Sequence, residues 1–98
     1  MDKQRLAAIL SRFPATTILV VGDFFLDEYL VIDRALAERS LETGREAHQI
    51  VAMRCSPGAA GTVTSNLRAM DVTVLALGVI GDDGHGYELT RALRATGV

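Results

Sequence analysis

The chain has 98 residues, which is enough for one small domain with a modest core. Apolar residues make up 49% of it, so a folded protein is expected rather than a disordered one. Ten basic and twelve acidic residues give a net charge of −2 with no basic cluster, which argues against nucleic acid or an anionic membrane as a partner.

No segment has the length of a membrane span, and the N-terminal charges are not followed by the apolar core of a signal peptide. The single cysteine, Cys55, excludes an internal disulfide and fits a reducing compartment. We therefore expect a cytoplasmic protein. His48 and His85 lie far apart without ligand-like spacing, so no dedicated metal site is predicted.

The first predicted element is a helix capped by Asp2 and running to about Arg12, where Pro14 stops it. Its apolar residues form a narrow stripe, for which packing is the simplest explanation. Thr17–Gly22 follows as a continuously apolar, β-branched run. Such a run is typical of a parallel strand that is buried on both faces.

Asp23 and Asp27 come directly after this strand. Open α/β sheets bind their ligands beyond the carboxyl ends of the strands, which makes both carboxylates candidates for a ligand role. The alternative is that one of them caps a turn while the other is merely solvated.

Two further strands are predicted at Tyr29–Asp33 and Ala47–Cys55, with the charged segment Arg34–Glu46 as a loop between them. They do not fit between a buried strand and its crossover helix within one sheet. We interpret residues 28–56 as an inserted lid of two small strands.

Pro57–Gly61 is predicted to be a small-residue loop that opens into a helix at Thr62–Met70, with Val63, Leu67 and Met70 on its apolar face. A second core strand follows at Val72–Leu77. The loop would bring the N–H groups of the first helical turn close to a ligand. Small residues would equally allow the helix to pack closely on a sheet, and the sequence alone leaves both explanations open.

The glycine-rich turn Gly78–Gly86 precedes a last helix at about His85–Thr96, which Asp83 helps to cap and Gly97 ends. Its glycine spacing does not fit a dinucleotide-binding motif. Strand, helix and strand then form a βαβ unit, expected to be right-handed, in which Asp23 and Asp27 face the loop at 58–62. Carboxylates together with backbone N–H groups suit a polyhydroxy ligand better than a phosphate.

These residues carry a family resemblance. The chain resembles the N-terminal part of carbohydrate kinases of the ribokinase or PfkB type, and most closely the heptose-phosphate kinase-like branch. The resemblance covers Thr17–Val98 and rests on four pieces: Ile18–Asp23 with Leu26 and Asp27, Ser56–Ala60, Asn66 with Leu67, and Leu77–Gly84 with Gly86.

The resemblance implies a three-layer α/β fold with a β lid over the sugar. It places a sugar-binding aspartate at Asp27 and a glycine pair at Gly58 and Ala59. Three residues depart from the family pattern, because alanine replaces the second glycine, Thr62 stands in place of an asparagine, and Asp71 in place of a helix-ending glycine. If position 59 needs a positive φ, alanine there costs about 1 kcal/mol.

The family's catalytic aspartate lies in a Gly-Ala-Gly-Asp-like motif, and no such motif occurs in these 98 residues. We therefore expect the chain to be the N-terminal, sugar-facing portion of an ATP- and Mg²⁺-dependent sugar or sugar-phosphate kinase, inactive by itself, with most of the ATP site elsewhere. Two alternatives are a non-catalytic sugar-binding or assembly module and a nucleoside kinase of the same superfamily. A homodimer through the lid and self-association of a bare sheet are also expected.

Overall fold

The computed structural model describes all residues from Met1 to Val98. It is a mixed α/β chain with two separate two-stranded sheets, one parallel and one antiparallel. The molecule is elongated, with extents of 65 × 34 × 19 Å. Its elements are, in order, α1 (Lys3–Leu10), a 3₁₀ turn (Phe13–Ala15), β1 (Thr17–Val21), β2 (Phe24–Arg39), β3 (Glu46–Ala59), α2 (Ala60–Ala69), β4 (Thr73–Leu77) and α3 (Gly84–Ala95).

The predicted βαβ unit is present. Strands β1 and β4 pair in parallel, from Thr17 opposite Thr73 to Val21 opposite Leu77, and α2 contacts both of them. The pairing continues one residue further, because the N–H of Gly22 donates to the carbonyl of Leu77 at 3.2 Å. Both strands therefore end at the same edge of the sheet.

The expectation that Thr17–Gly22 is buried on both faces is wrong. Exposure alternates along β1, and the partly covered Ile18 pairs with Val74, which is buried. On the opposite face the side chains are more than half exposed, because no element of the chain lies over them: Leu19, Val21, Leu75 and Leu77. We call these four residues the open sheet face.

The two lid strands are much longer than predicted. β2 and β3 form one antiparallel ribbon, and the only turn between them spans residues 40–45. The predicted loop Arg34–Glu46 is wrong, since Glu38 pairs with Ala47 and Arg39 with Glu46. Charged side chains are compatible with this part of the ribbon because both of its faces are exposed to solvent.

The predicted small-residue loop is also wrong. Strand β3 continues through Pro57, Gly58 and Ala59, which pair with Leu26, Phe25 and Phe24, and α2 begins at the very next residue. The chain therefore passes from lid to helix without a connecting segment.

The buried face of α2 also differs from the predicted one. Val63 and Met70 are about half exposed, whereas Gly61 and Thr64 are buried. The Thr64 hydroxyl donates to the Gly61 carbonyl at 2.7 Å, which satisfies a polar side chain that is otherwise removed from water. A small and a hydroxylated residue at these positions let the helix approach its neighbours closely.

Both predicted helix caps are confirmed. The Asp2 carboxylate accepts from the N–H of Arg5 at 2.7 Å, and the Asp83 carboxylate accepts from that of Gly86 at 2.8 Å. Helix α1 ends at Leu10, earlier than predicted, and it buries no residue, so its apolar stripe contributes little packing here. The buried apolar core consists of Phe24, Val72, Val74 and Leu89. No helix has both the length and the apolar character needed to cross a membrane.

Candidate functional site

The carboxyl end of the parallel sheet, the start of α2 and the base of the lid meet at one place. The carbonyl of Asp23 accepts a hydrogen bond from the N–H of Ala60 at 2.9 Å, which ties the end of β1 to the start of α2. Gly78, just past β4, is so close that a β-carbon there would lie 2.9 Å from the carbonyl oxygen of Gly22 and 2.6 Å from the ring of Phe24. The convergence predicted for Asp23, residues 58–62 and the glycine-rich turn is confirmed.

Asp27 occupies a defined position at this edge. It pairs with Ser56 across the ribbon, and its carboxylate lies directly against Gly58, where a β-carbon would overlap it. The side chain is exposed, and the two ion pairs of the chain involve other residues. The structure thus brings Asp27 and Gly58 into contact and leaves the carboxylate oxygens open to a ligand.

The turn from β3 into α2 is made by a non-glycine residue in an unusual conformation. Ala59 has φ 52° and ψ −117°, a region that glycine occupies far more readily than other residues. No side chain caps α2, and the N–H of Ala60 is already used by Asp23. Gly61 and Thr62 follow in the first helical turn, whose N–H groups have no acceptor within the helix.

The two faces of the lid base differ in character. The residues that alternate with Asp27 on its face are Phe25 and Tyr29, each more than half exposed, with Arg54 directly across from Tyr29. On the other face, Oε1 of Glu28 lies 3.2 Å from Nε2 of His85 of α3. The Asp27 face is therefore turned away from α3.

Sequence reasoning missed the Glu28–His85 pair and the placement of Arg54 over the Tyr29 ring, 5.6 Å from its centroid. Alternation had separated the two faces of Ala47–Cys55, but the partner of each residue depends on the hairpin register. That register could have been found only by recognising the tight turn at residues 40–45.

The second ion pair of the chain lies on α3. On α3, Glu88 accepts two hydrogen bonds from Arg91, at 3.2 and 2.7 Å, and thereby raises the pKa of that arginine. No set of three or more His, Cys, Asp or Glu side chains is placed to hold a metal ion.

No protein-family model matches the chain. It is similar over its whole length to proteins named bifunctional protein HldE. The identity is 35% over 99 positions with the protein of Pelobacter propionicus and 33% over 100 positions with that of Trichlorobacter lovleyi. With the protein of Citrifermentans bemidjiense it is 36% over 98 positions.

The resemblance to the heptose kinase branch is confirmed. In each of these comparisons the chain spans about a fifth of the HldE protein, 20% of its length.

Proposed function

We propose that this chain forms the acceptor-sugar side of an ATP-dependent sugar or sugar-phosphate kinase. The observation that carries the proposal is the exposed carboxylate of Asp27 held against Gly58 at the edge where β1, β4 and α2 meet. Its support is the similarity to HldE, which combines a heptose 7-phosphate kinase with a heptose 1-phosphate adenylyltransferase.

In this proposal Asp27 accepts hydrogen bonds from two sugar hydroxyls. Its two oxygens offer enough lone pairs for both, and no intramolecular ion pair competes for them. The open N–H groups at Gly61 and Thr62 donate to sugar oxygens from the other side, and Gly58 and Ala59 shape the wall between them. Asp23 contributes through its backbone, which holds α2 in place, and its side chain is exposed at the same edge.

ATP and Mg²⁺ belong to the proposed kinase as a whole. The resemblance places most of the ATP site with the Gly-Ala-Gly-Asp-like motif, and no such motif occurs among the residues present. The phosphoryl-transfer step is therefore assigned to residues outside these 98, and the chain alone is expected to be inactive. The three-layer arrangement, with further elements over the open sheet face, is part of the same proposal.

The lid adds a possible subunit contact to the proposal. Apolar side chains of the ribbon beyond its base are exposed, among them Leu30, Ile50 and Met53. Burying them against a second lid would remove apolar surface from water, which favours a homodimer. A cytoplasmic location is part of the same proposal, and the single free cysteine suits a reducing compartment.

The test measures sugar binding to residues 1–98 by amide NMR. One titration uses a heptose and a second uses heptose 7-phosphate. Asp27→Asn keeps the size of the side chain but replaces one acceptor oxygen with a donor, so affinity for both sugars should fall at least tenfold. Asp33→Asn, further out on the lid, is the matched control and should bind like the parent sequence. Unchanged affinity in Asp27→Asn would reject the assignment.

Adenosine belongs in the same titration. Perturbations at Asp27 caused by adenosine and not by either sugar would support the nucleoside kinase alternative. A dispersed spectrum that responds to none of the three compounds would support the non-catalytic module.

A further inference from the structure

The lid carries a cation on the same face as Asp27. From Phe24 to Val31 the ribbon pairs without a register shift, so residues alternate strictly between its two faces. Asp27 and Tyr29 share one face, and Arg54 shares it because it pairs with Tyr29. Arg54 thus stands two residues further along the ribbon than Asp27, about 7 Å towards the tip.

The exposed side chain of Arg54 lies over the ring of Tyr29. The central carbon of its guanidinium lies 5.6 Å from the centre of the Tyr29 ring, within the range of a cation–π contact. No hydrogen bond within the chain uses the N–H donors of this guanidinium. These donors can engage an oxyanion bidentately.

No carboxylate neutralises this charge. The two ion pairs of the chain are Glu28 with His85, on the opposite face of the lid, and Glu88 with Arg91 on α3. Asp27 is near Arg54, but its carboxylate lies over Gly58 and makes no ion pair. The Arg54 cation has no carboxylate partner, and the neighbouring Asp27 carboxylate is suited to hydroxyls. Together the two side chains are complementary to a ligand that carries hydroxyls at one end and an anion at the other.

The geometry points to Arg54 as the residue that selects a phosphorylated sugar: Asp27 binds the hydroxyls, and Arg54, positioned by Tyr29, binds the phosphate oxygens towards the lid. This inference rests on the proposed function and deepens it. The inferred acceptor sugar is an anion. The carboxylates at the sheet edge would by themselves repel an anion, and the positive charge of Arg54 offsets this repulsion.

The experiment compares three probes on residues 1–98: heptose 7-phosphate, the same heptose without phosphate, and inorganic phosphate. Affinities come from amide NMR titration, and the Nε–H resonance of Arg54 reports directly on contact with an anion. The unmodified chain should bind the phosphorylated heptose about tenfold or more tightly than the free sugar.

Arg54→Gln should remove this preference and leave the affinity for the unphosphorylated heptose unchanged. Arg39→Gln removes the same charge near the tip of the lid and is the matched control, with the preference retained. Tyr29→Leu keeps an apolar side chain but removes the ring, so it should weaken the preference without abolishing it.

An equal preference in Arg54→Gln and the unmodified chain would overturn the role of Arg54. If Asp27→Asn still loses both sugars in that case, the proposed function stands and only the phosphate contact fails. Binding of neither heptose to a well-folded chain would overturn both. Loss of spectral dispersion in a variant identifies unfolding, and Arg54→Lys then provides a second test, since it keeps the charge and should retain part of the preference.

Discussion

The carboxylate of Asp27 lies in the space that a β-carbon on residue 58 would occupy. Gly58 is buried beneath it, and the side-chain carbon of the carboxylate would be 2.9 Å from such a β-carbon. Glycine at position 58 is therefore a steric requirement for the observed position of Asp27. The two residues come from different lid strands, and the ribbon brings them together.

Gly58→Ala should displace the Asp27 carboxylate. We expect at least a tenfold loss of sugar affinity but little change in the free energy of unfolding, because the atoms that a β-carbon would meet are the end of an exposed side chain that can move away. Gly84→Ala is the control, because a β-carbon there would meet nothing within 4 Å. Isothermal titration and chemical denaturation measure the two effects, and unaltered sugar affinity in Gly58→Ala would show that the contact does not position Asp27.

Ala59→Gly should stabilise the chain. The residue has φ 52° and ψ −117°, where a β-carbon is strained, and its removal should raise the free energy of unfolding by about 1 kcal/mol. Ala69→Gly at the other end of α2 provides the contrast, since glycine in an ordinary helical position lowers stability by about 0.5–1 kcal/mol. A lower denaturation midpoint for Ala59→Gly would mean that the turn is not strained.

Asp71→Gly should also be stabilising, for a related reason. Asp71 follows the end of α2 with φ 63°, the left-handed conformation in which glycine commonly ends a helix. Aspartate tolerates this region better than most residues, so the expected gain is smaller, about 0.5–1 kcal/mol. Asp71→Ala separates the two contributions: if it matches Asp71→Gly in thermal unfolding, the gain comes from removing the carboxylate and not from the backbone.

Asp83→Ala should destabilise the chain by about 1 kcal/mol, because it removes the acceptor for the N–H of Gly86 at the start of α3. Asp82→Ala removes a carboxylate from the neighbouring position without removing a cap and should change stability by less than about 0.5 kcal/mol. Thermal unfolding followed by circular dichroism compares the two. Equal losses would indicate a general charge effect and not a specific cap.

The open sheet face should cause self-association. Leu19→Gln combined with Leu75→Gln replaces two of its four side chains, which are 55% and 56% exposed, and should shift the chain towards monomer. Leu41→Gln at the tip of the lid removes an equally apolar but isolated side chain and should have no such effect. Sedimentation velocity over a range of concentrations measures the oligomeric state of each variant. A monomeric parent chain at high concentration would refute self-association through the open sheet face.

Several local features of the fold were predictable from the sequence. Asp2 and Asp83 were identified as helix caps because a cap depends on residues three positions apart. The parallel pairing of β1 and β4 followed from two short apolar runs around a helix. The possible strain at position 59 also followed from the sequence, because alanine replaces a glycine of the family pattern, and the structure shows the positive φ.

The length of the lid strands and the buried face of α2 were predicted wrongly. Charged residues at 34–39 were expected to form a loop, but an exposed ribbon accepts charge on both of its faces. Glu38 and Arg39 pair with Ala47 and Glu46 as part of the extended strand. Val63 and Met70 were expected to be buried by helical periodicity, but the close approach of α2 to its neighbours favours Gly61 and Thr64.

The sequence by itself determined which residues could serve as caps, strands and ligand-binding carboxylates, because these properties depend on residue type and short-range spacing. The tertiary structure alone decided which of them meet. The contact of Asp27 with Gly58 and the placement of Arg54 over Tyr29 depend on the register of the lid. The pairing of Glu28 with His85 depends on how the lid packs on α3. Register is set by a turn and by backbone hydrogen bonds between strands that are distant in sequence, so side-chain pattern alone could not determine it.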